Sequence, residues 1–512
     1  MSLQRWGNQF GAARQISPYA NKIALLGNSI MAQNLPSAAG GQTSWTELTA
    51  FPAALRAVPK AYNLVGGYKH LEYVSSGGTS GPVEPVWPTT AGGTVLDGSI
   101  TWTAQARTDL TAYGMGGWTF AQMLSGQRLD EVWMGGFGGR RSTYILSNLP
   151  AALAANPDIV YFASMFENDM QDTTPAVILA NWNNFVKQAD YVRSLGKRVM
   201  LDTLLPNGGL DASSAFTGYT AGAQTKAWNW LNDMIKEYAR SRPDVILFDV
   251  SSVFTDPNPA NPIWPENATT YLSEAGTGQA LKKTDAIHPY VSGAYLIGKA
   301  LAAVIRERFP AIDRFHRAKD TYDLAVNPDN GGTAGVLGTG MTSGPVPSLM
   351  TMNAYGTVAS AIASIVPRTD TSGKFAQCAI VGTANATLYY VRTGPYPAPA
   401  SWNAIGSVVQ AFGEIKILAN PTLLKQVEVR VETEFGAPAV WSSARNLATS
   451  EQDWGQMITE DTTFTLKTLP FKVPAGTTVI YPALRVTSRG ASAFTAQLGR
   501  LSLQPYSIPD IS

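Results

Sequence analysis

The sequence predicts an α/β fold, a three-layer domain with a mostly parallel sheet, joined to a small β insert and a C-terminal β-sandwich or jelly roll. Three observations predict it. Apolar runs short enough to be buried strands alternate with longer helix-like segments over residues 20–34 and 113–312, the pattern of a parallel sheet covered on both faces. Residues 53–110 break that alternation with a stretch rich in Gly, Pro, Thr and aromatics. From about residue 320 onward only short β-like runs recur, separated by Gly, Pro and Asn turns. The expected units are therefore 1–52 with 111–318, an insert at 53–110, and a sandwich at 319–512.

The elements follow in order. KIALLG (22–27) reads as a buried strand, ended by a Gly-Asn turn and Ser29. EVWM (131–134) is a second strand, followed by the glycine cluster GGFGG and a helix. PDIVYFAS (157–164) is a third, running into Met165, Phe166, Glu167, Asn168 and Asp169. PAVILANWNNFVKQADYVRSLG reads as a helix, KRVMLDTLLP as a strand, TKAWNWLNDMIKEYARSRP as a helix and DVILFDV as a strand. SGAYLIGKALAAVI, after Asp285 and His288, is the last helix. In such folds ligands sit at the carboxyl ends of the strands.

Composition excludes several classes. The formal net charge of 512 residues is +1, with no run of Lys or Arg, so neither nucleic acid nor an anionic membrane is an expected partner. Cys378 is the single cysteine, and the three histidines are far apart, so no His/Cys zinc cluster can form; no metal and no organic cofactor are expected. The first 22 residues carry no apolar core of a signal peptide, and no stretch is apolar enough for a spanning helix.

Four short stretches carry chemistry. Asp285 and His288 are three apart before a helix; a carboxylate there can hold one imidazole nitrogen and leave the other as a base. In isolation the pair reads first as a capping Asp and a surface His. Asn168 at a strand end can donate to a developing oxyanion, and a glycine N–H can approach a substrate oxygen closely. Ser29 can be a turn residue or a nucleophile.

The order of these blocks, Ser29, Gly139, Asn168 and His288, resembles the SGNH (GDSL-type) hydrolase family over roughly 250 residues. Gly116 and Gly117 compete for the glycine block, but Gly139 directly follows a strand. The resemblance implies a flavodoxin-like domain and a serine esterase. Ser29 would be the nucleophile, His288 the base and Asp285 its orienter. The oxyanion hole would comprise the Ser29 backbone N–H, Gly139 and Asn168. Two positions depart from the family pattern: Asn28 stands where Gly-Asp-Ser has Asp, and Phe166 where the third block has Gly. With Glu167, these are expected to line the substrate pocket, and the Phe166 ring to restrict it to acetyl.

The insert's GTSGPVEPVWPTTAGGTVLDGSITW resembles a β module of bacteriophage tail proteins, and the C-terminal region resembles jelly rolls appended to phage tail and carbohydrate-active proteins. That resemblance implies an enzyme on a phage tail fibre or spike, made in the host cytoplasm without a signal peptide. Its partners would be acetylated host surface polysaccharide and other tail proteins, and a homotrimer is one assembly it allows. Trp87, Trp102, Trp402 and Trp441 are candidates for sugar stacking, though each taken singly reads first as sandwich core. A receptor-binding protein with a hydrolase fold and a general small-ester carboxylesterase are the alternative readings.

Overall fold

The computed structural model describes residues 22–35, 37–38, 43–58, 61–63, 71–88, 92–106, 111–114, 116–205, 223–253, 288–312, 314–315, 330–370, 373–392, 408–421, 423–435, 440–447, 454–473 and 477–505. Five strands form the parallel part of the first sheet: β1 (Lys22–Asn28), β2 (Asp130–Phe137), β3 (Ile159–Ala163), β4 (Arg198–Asp202) and β5 (Val245–Phe248). Their spatial order is 5-4-3-1-2, the flavodoxin-like order. The order reverses at β1, which pairs with β2 on one side and β3 on the other. The carboxyl end of β1 therefore lies at the crevice where such sheets bind ligands.

Side-chain alternation assigns the faces. Ile23 and Leu25 of β1 and Ile159 and Tyr161 of β3 join one core with α2 (Gly117–Ser125) and α7 (Val291–Arg308). Ala24 and Leu26, with Val160 and Phe162, join the opposite core under α3 (Ser142–Ser147), α4 (Leu149–Ala154), α5 (Pro175–Ser194) and α6 (Ala223–Arg240). Strands buried on both faces must be apolar throughout, as the runs in the sequence are.

The insert differs from the expected separate module in two ways. Its five-stranded sheet starts at Thr43–Ser44, before residue 53, and its core holds Trp45 and Phe51 with Trp102. Asp97 organises that core by accepting from the indole N–H groups of Trp45 (2.6 Å) and Trp102 (2.9 Å). The insert also supplies Ala61–Asn63, which pairs antiparallel with Gly135–Trp133 and makes the sixth strand of the main sheet. The sheet is thus mixed at one edge.

The long strands of the C-terminal region pair with one another antiparallel, while the short strand Ala334–Leu337 joins the first of them in parallel. The long strands are β6 (Val346–Pro367), β7 (Lys374–Arg392), β8 (Val408–Ile417), β9 (Leu424–Phe435), β10 (Val440–Leu447), β11 (Thr462–Lys467), β12 (Thr477–Ser488) and β13 (Ser492–Pro505). β7 spans two halves, pairing with β13 through Ala376–Gly382 and with β12 through Thr387–Val391. Short strands that flank the insert, Ser37–Ala38 and Thr111–Tyr113, continue the same hydrogen-bonded network through β10.

Candidate active site

The turn that carries Ser29 follows from close packing. At Gly27 a Cβ would collide with the Ala163 carbonyl oxygen and with Met31, and at Gly136 one would collide with the Ala32 backbone. The two glycines let β2 and β3 close on the chain as it leaves β1. Asn28 then caps the short helix α1 (Ser29–Ala32): its Oδ1 accepts from the Ile30 N–H at 2.8 Å. Ser29 is the first residue of that helix, at the crevice of the sheet.

His288 comes from 259 residues away, just before α7. Its Nε2 lies 2.6 Å from Ser29 Oγ, and the pair is partly buried. The next residue is fixed as well, since the Pro289 carbonyl accepts from the Gln33 side chain at 3.4 Å. This is the hydrogen-bonded serine–imidazole contact that nucleophilic catalysis needs. Asp285 lies outside the described residues.

The glycine loop and the loop after β3 meet beside Ser29. A Cβ on Gly138 would be 3.9 Å from Ser29 Cβ, whereas one on Gly139 would meet nothing within 4 Å. Of the two, Gly138 is the nearer to the Ser29 side chain, and Gly139 turns the chain at φ +68°. Asn168 is half-buried and donates one amide N–H to the Arg140 carbonyl at 3.0 Å, which fixes its side chain against this loop. The Arg140 guanidinium stacks over Tyr144 at 4.7 Å and is ion-paired with Glu47, so the insert reaches the edge of the site.

Three buried carboxylates lie behind these groups, two of them unforeseen. Asp169 accepts from the Ser142 N–H (2.8 Å), the Ser142 hydroxyl (2.9 Å) and Asn181 (2.6 Å), tying the loop after β3 to α3 and α5. Burial pushes its carboxyl up to about 6. Asp202, at the end of β4, accepts from Tyr161 (3.0 Å) and from the N–H of Ser164 (2.7 Å), a residue held at φ +50°. Burial, then the nearby Glu167, push Asp202 well above the usual carboxylate range. The signal for Asp169 was its adjacency to Asn168; nothing in the sequence marked Asp202, because its partners come from β3.

The expected pocket lining is corrected by these positions. Phe166 does not face the substrate. Its ring sits in the core under α5, 5.4 Å from Phe185 and 6.0 Å from Trp182, because an aromatic cluster buries it better than a polar cleft. Asn28 is fully buried and Glu167 nearly so, and both are occupied by internal hydrogen bonds rather than lining a pocket. A cavity of about 30 Å³ under α1 is bordered by Met31, Asn34, Tyr161, Asp202 and Leu205, and Ser29 is not on its wall. Trp102 is core, Trp87 packs on it at 5.7 Å, and Trp402 and the Trp441 side chain lie outside the described residues.

No family model matches the chain, and no curated protein does. Solved structures do. The chain is similar to a lipolytic protein of the G-D-S-L family from Desulfitobacterium hafniense, at 17% identity over 37% of this chain and 88% of that one, with a TM-score of 0.28. It is similar to a catalytic mutant of an acetylxylan esterase from Geobacillus stearothermophilus, at 13% identity over 57% and 97%, with a TM-score of 0.31. It is also similar to a family 22 carbohydrate-binding module from Clostridium thermocellum, at 9% identity over 30% and 84%, with a TM-score of 0.20.

Proposed function

We propose that this chain is a serine carboxylic ester hydrolase, and that it removes O-acetyl groups from a host surface polysaccharide as part of a phage tail. The observation that carries the first half is the 2.6 Å contact between Ser29 Oγ and His288 Nε2 at the carboxyl end of β1. Ser29 Oγ attacks the ester carbonyl while His288 takes its proton. The developing oxyanion is met by the Ser29 N–H, the glycine loop and the second amide N–H of Asn168. The tetrahedral adduct collapses, the C–O bond to the sugar breaks, and His288 returns the proton to the leaving alkoxide. Water, deprotonated by His288, then attacks the acetyl-enzyme and releases acetate. Asp285, three residues before His288, is assigned to orient the imidazole.

The polysaccharide and the tail are supported by sequence alone: the near-neutral charge, the insert's turn-and-tryptophan pattern and the β-rich C-terminal region. Hydrolysis of p-nitrophenyl acetate by the intact chain and its Ser29→Ala variant tests the chemistry. Acetate release from acetylated capsular or O-antigen polysaccharide tests the substrate. Activity on the small ester without release from any polymer supports a general carboxylesterase instead. Failure on both, with retained binding to the polymer, supports a receptor-binding protein.

A further inference from the structure

Asn28 breaks the Gly-Asp-Ser pattern, and the structure gives a reason. Its two side-chain atoms do different work. Oδ1 accepts from the Ile30 N–H and shapes the nucleophile turn. Nδ2 donates to Glu167 Oε2 at 2.9 Å in a fully buried contact. The other Glu167 oxygen accepts from the Leu205 N–H at 3.3 Å, beyond the end of β4. Glu167 directly precedes Asn168. One side chain therefore links the turn carrying the nucleophile, the loop carrying the proposed oxyanion donor, and the segment after β4.

We infer that Asn28 and Glu167 are a mutually dependent pair of positioning residues, in which Asn at 28 is required because an acid stands at 167. The inference rests on the esterase reading for its kinetic consequences but not for its geometry. An aspartate at 28 would keep the acceptor for Ile30 and turn the other oxygen toward Glu167, placing two carboxylates in contact. Among the described residues, the other titratable groups that act on Glu167 are Asp202 at the end of β4, Asp169 on its own loop and Tyr161 on β3, all acidic and none able to neutralise the new charge. Such a pair holds together only while it shares one proton. Asn28 needs no such proton, because its N–H can donate to the ionised or the protonated carboxyl.

The reversed pair restores every bond. With Asp at 28 and Gln at 167, the Gln amide N–H donates to Asp, its oxygen accepts from Leu205, and Asp still accepts from Ile30. The test is a cycle of Asn28→Asp, Glu167→Gln and the double variant, assayed on p-nitrophenyl acetate from about pH 6 to pH 9, with melting temperatures measured alongside. N28D should work near pH 6 and lose activity by about pH 9, through kcat rather than KM, by up to about a hundredfold. Its melting temperature should fall over the same range. The double variant should show neither loss and stay within a few-fold of the parent at pH 9. The inference is overturned if N28D matches the parent in rate and melting temperature at pH 9, or if the double variant does no better than N28D. An inactive parent would refute the esterase reading alone, and the melting temperatures would still decide the pair.

Discussion

The Phe166 side chain shows how a motif position can mislead. It stands where the SGNH pattern that the sequence resembles has glycine, yet its Cα follows a strand whose alternate residues point into the α5 core, and the ring follows them. Phe166→Ala should cost about 3–5 kcal/mol of stability by leaving a cavity. The acetyl-to-butyryl rate ratio should stay the same, measured with matched p-nitrophenyl esters. Glu167 makes a second prediction at this scale. Burial pushes its carboxyl up to about 7 from an ordinary value near 4.5. Its contribution to stability is then greatest below about pH 4.5 and is lost as pH rises through about 7. Denaturant titrations of the parent should show that loss, and Glu167→Gln should remove this component of the pH dependence. The meeting of Ser29 with His288, and of Asn168 with the glycine loop, was legible because short motifs in a fixed order report them. That Gly138 lies nearer to Ser29 than Gly139 was not, because which of two adjacent glycines comes close to a serine depends on how the turn is wound.

At the scale of elements, the sheet strands and main helices were legible from apolar runs and their spacing. What crosses between elements was not. Lys467 of β11 and Glu131 of β2 form a buried ion pair at 2.5 Å, across 336 residues, and Trp118 (2.9 Å) and Gln122 (3.0 Å) donate to the same carboxylate. Although burial opposes it, the Lys467 ammonium holds Glu131 below its ordinary value. Lys467→Met leaves that carboxylate buried without its cation and should cost roughly 3–5 kcal/mol in urea unfolding. Lys467→Met with Glu131→Gln should recover most of the loss. The edge strand Ala61–Asn63 was missed for a similar reason: three residues carry no periodicity, and only the partner strand β2 makes them a strand.

The whole molecule is less modular than its sequence. Phe120 of α2, Tyr295 of α7 and Trp454, ahead of β11, pack within 5.2–5.8 Å of one another, Phe120 edge-on to both other rings, and one hydrophobic core runs from the first sheet into the C-terminal strands. Composition changes sharply near residue 320, but composition is local and cannot show that the two regions bury each other. A chain truncated after residue 318 should therefore lose soluble expression, while the full chain melts in a single transition by calorimetry. A soluble, active fragment would show that the shared core is dispensable. The catalytic claim has its own direct test on the intact chain, which is labelling with a fluorophosphonate, a reagent that traps activated serine nucleophiles, followed by peptide mass mapping. One adduct is expected, on Ser29, greatly reduced in His288→Ala and absent in Ser29→Ala. Labelling of another residue, or none in a folded and active protein, would contradict it.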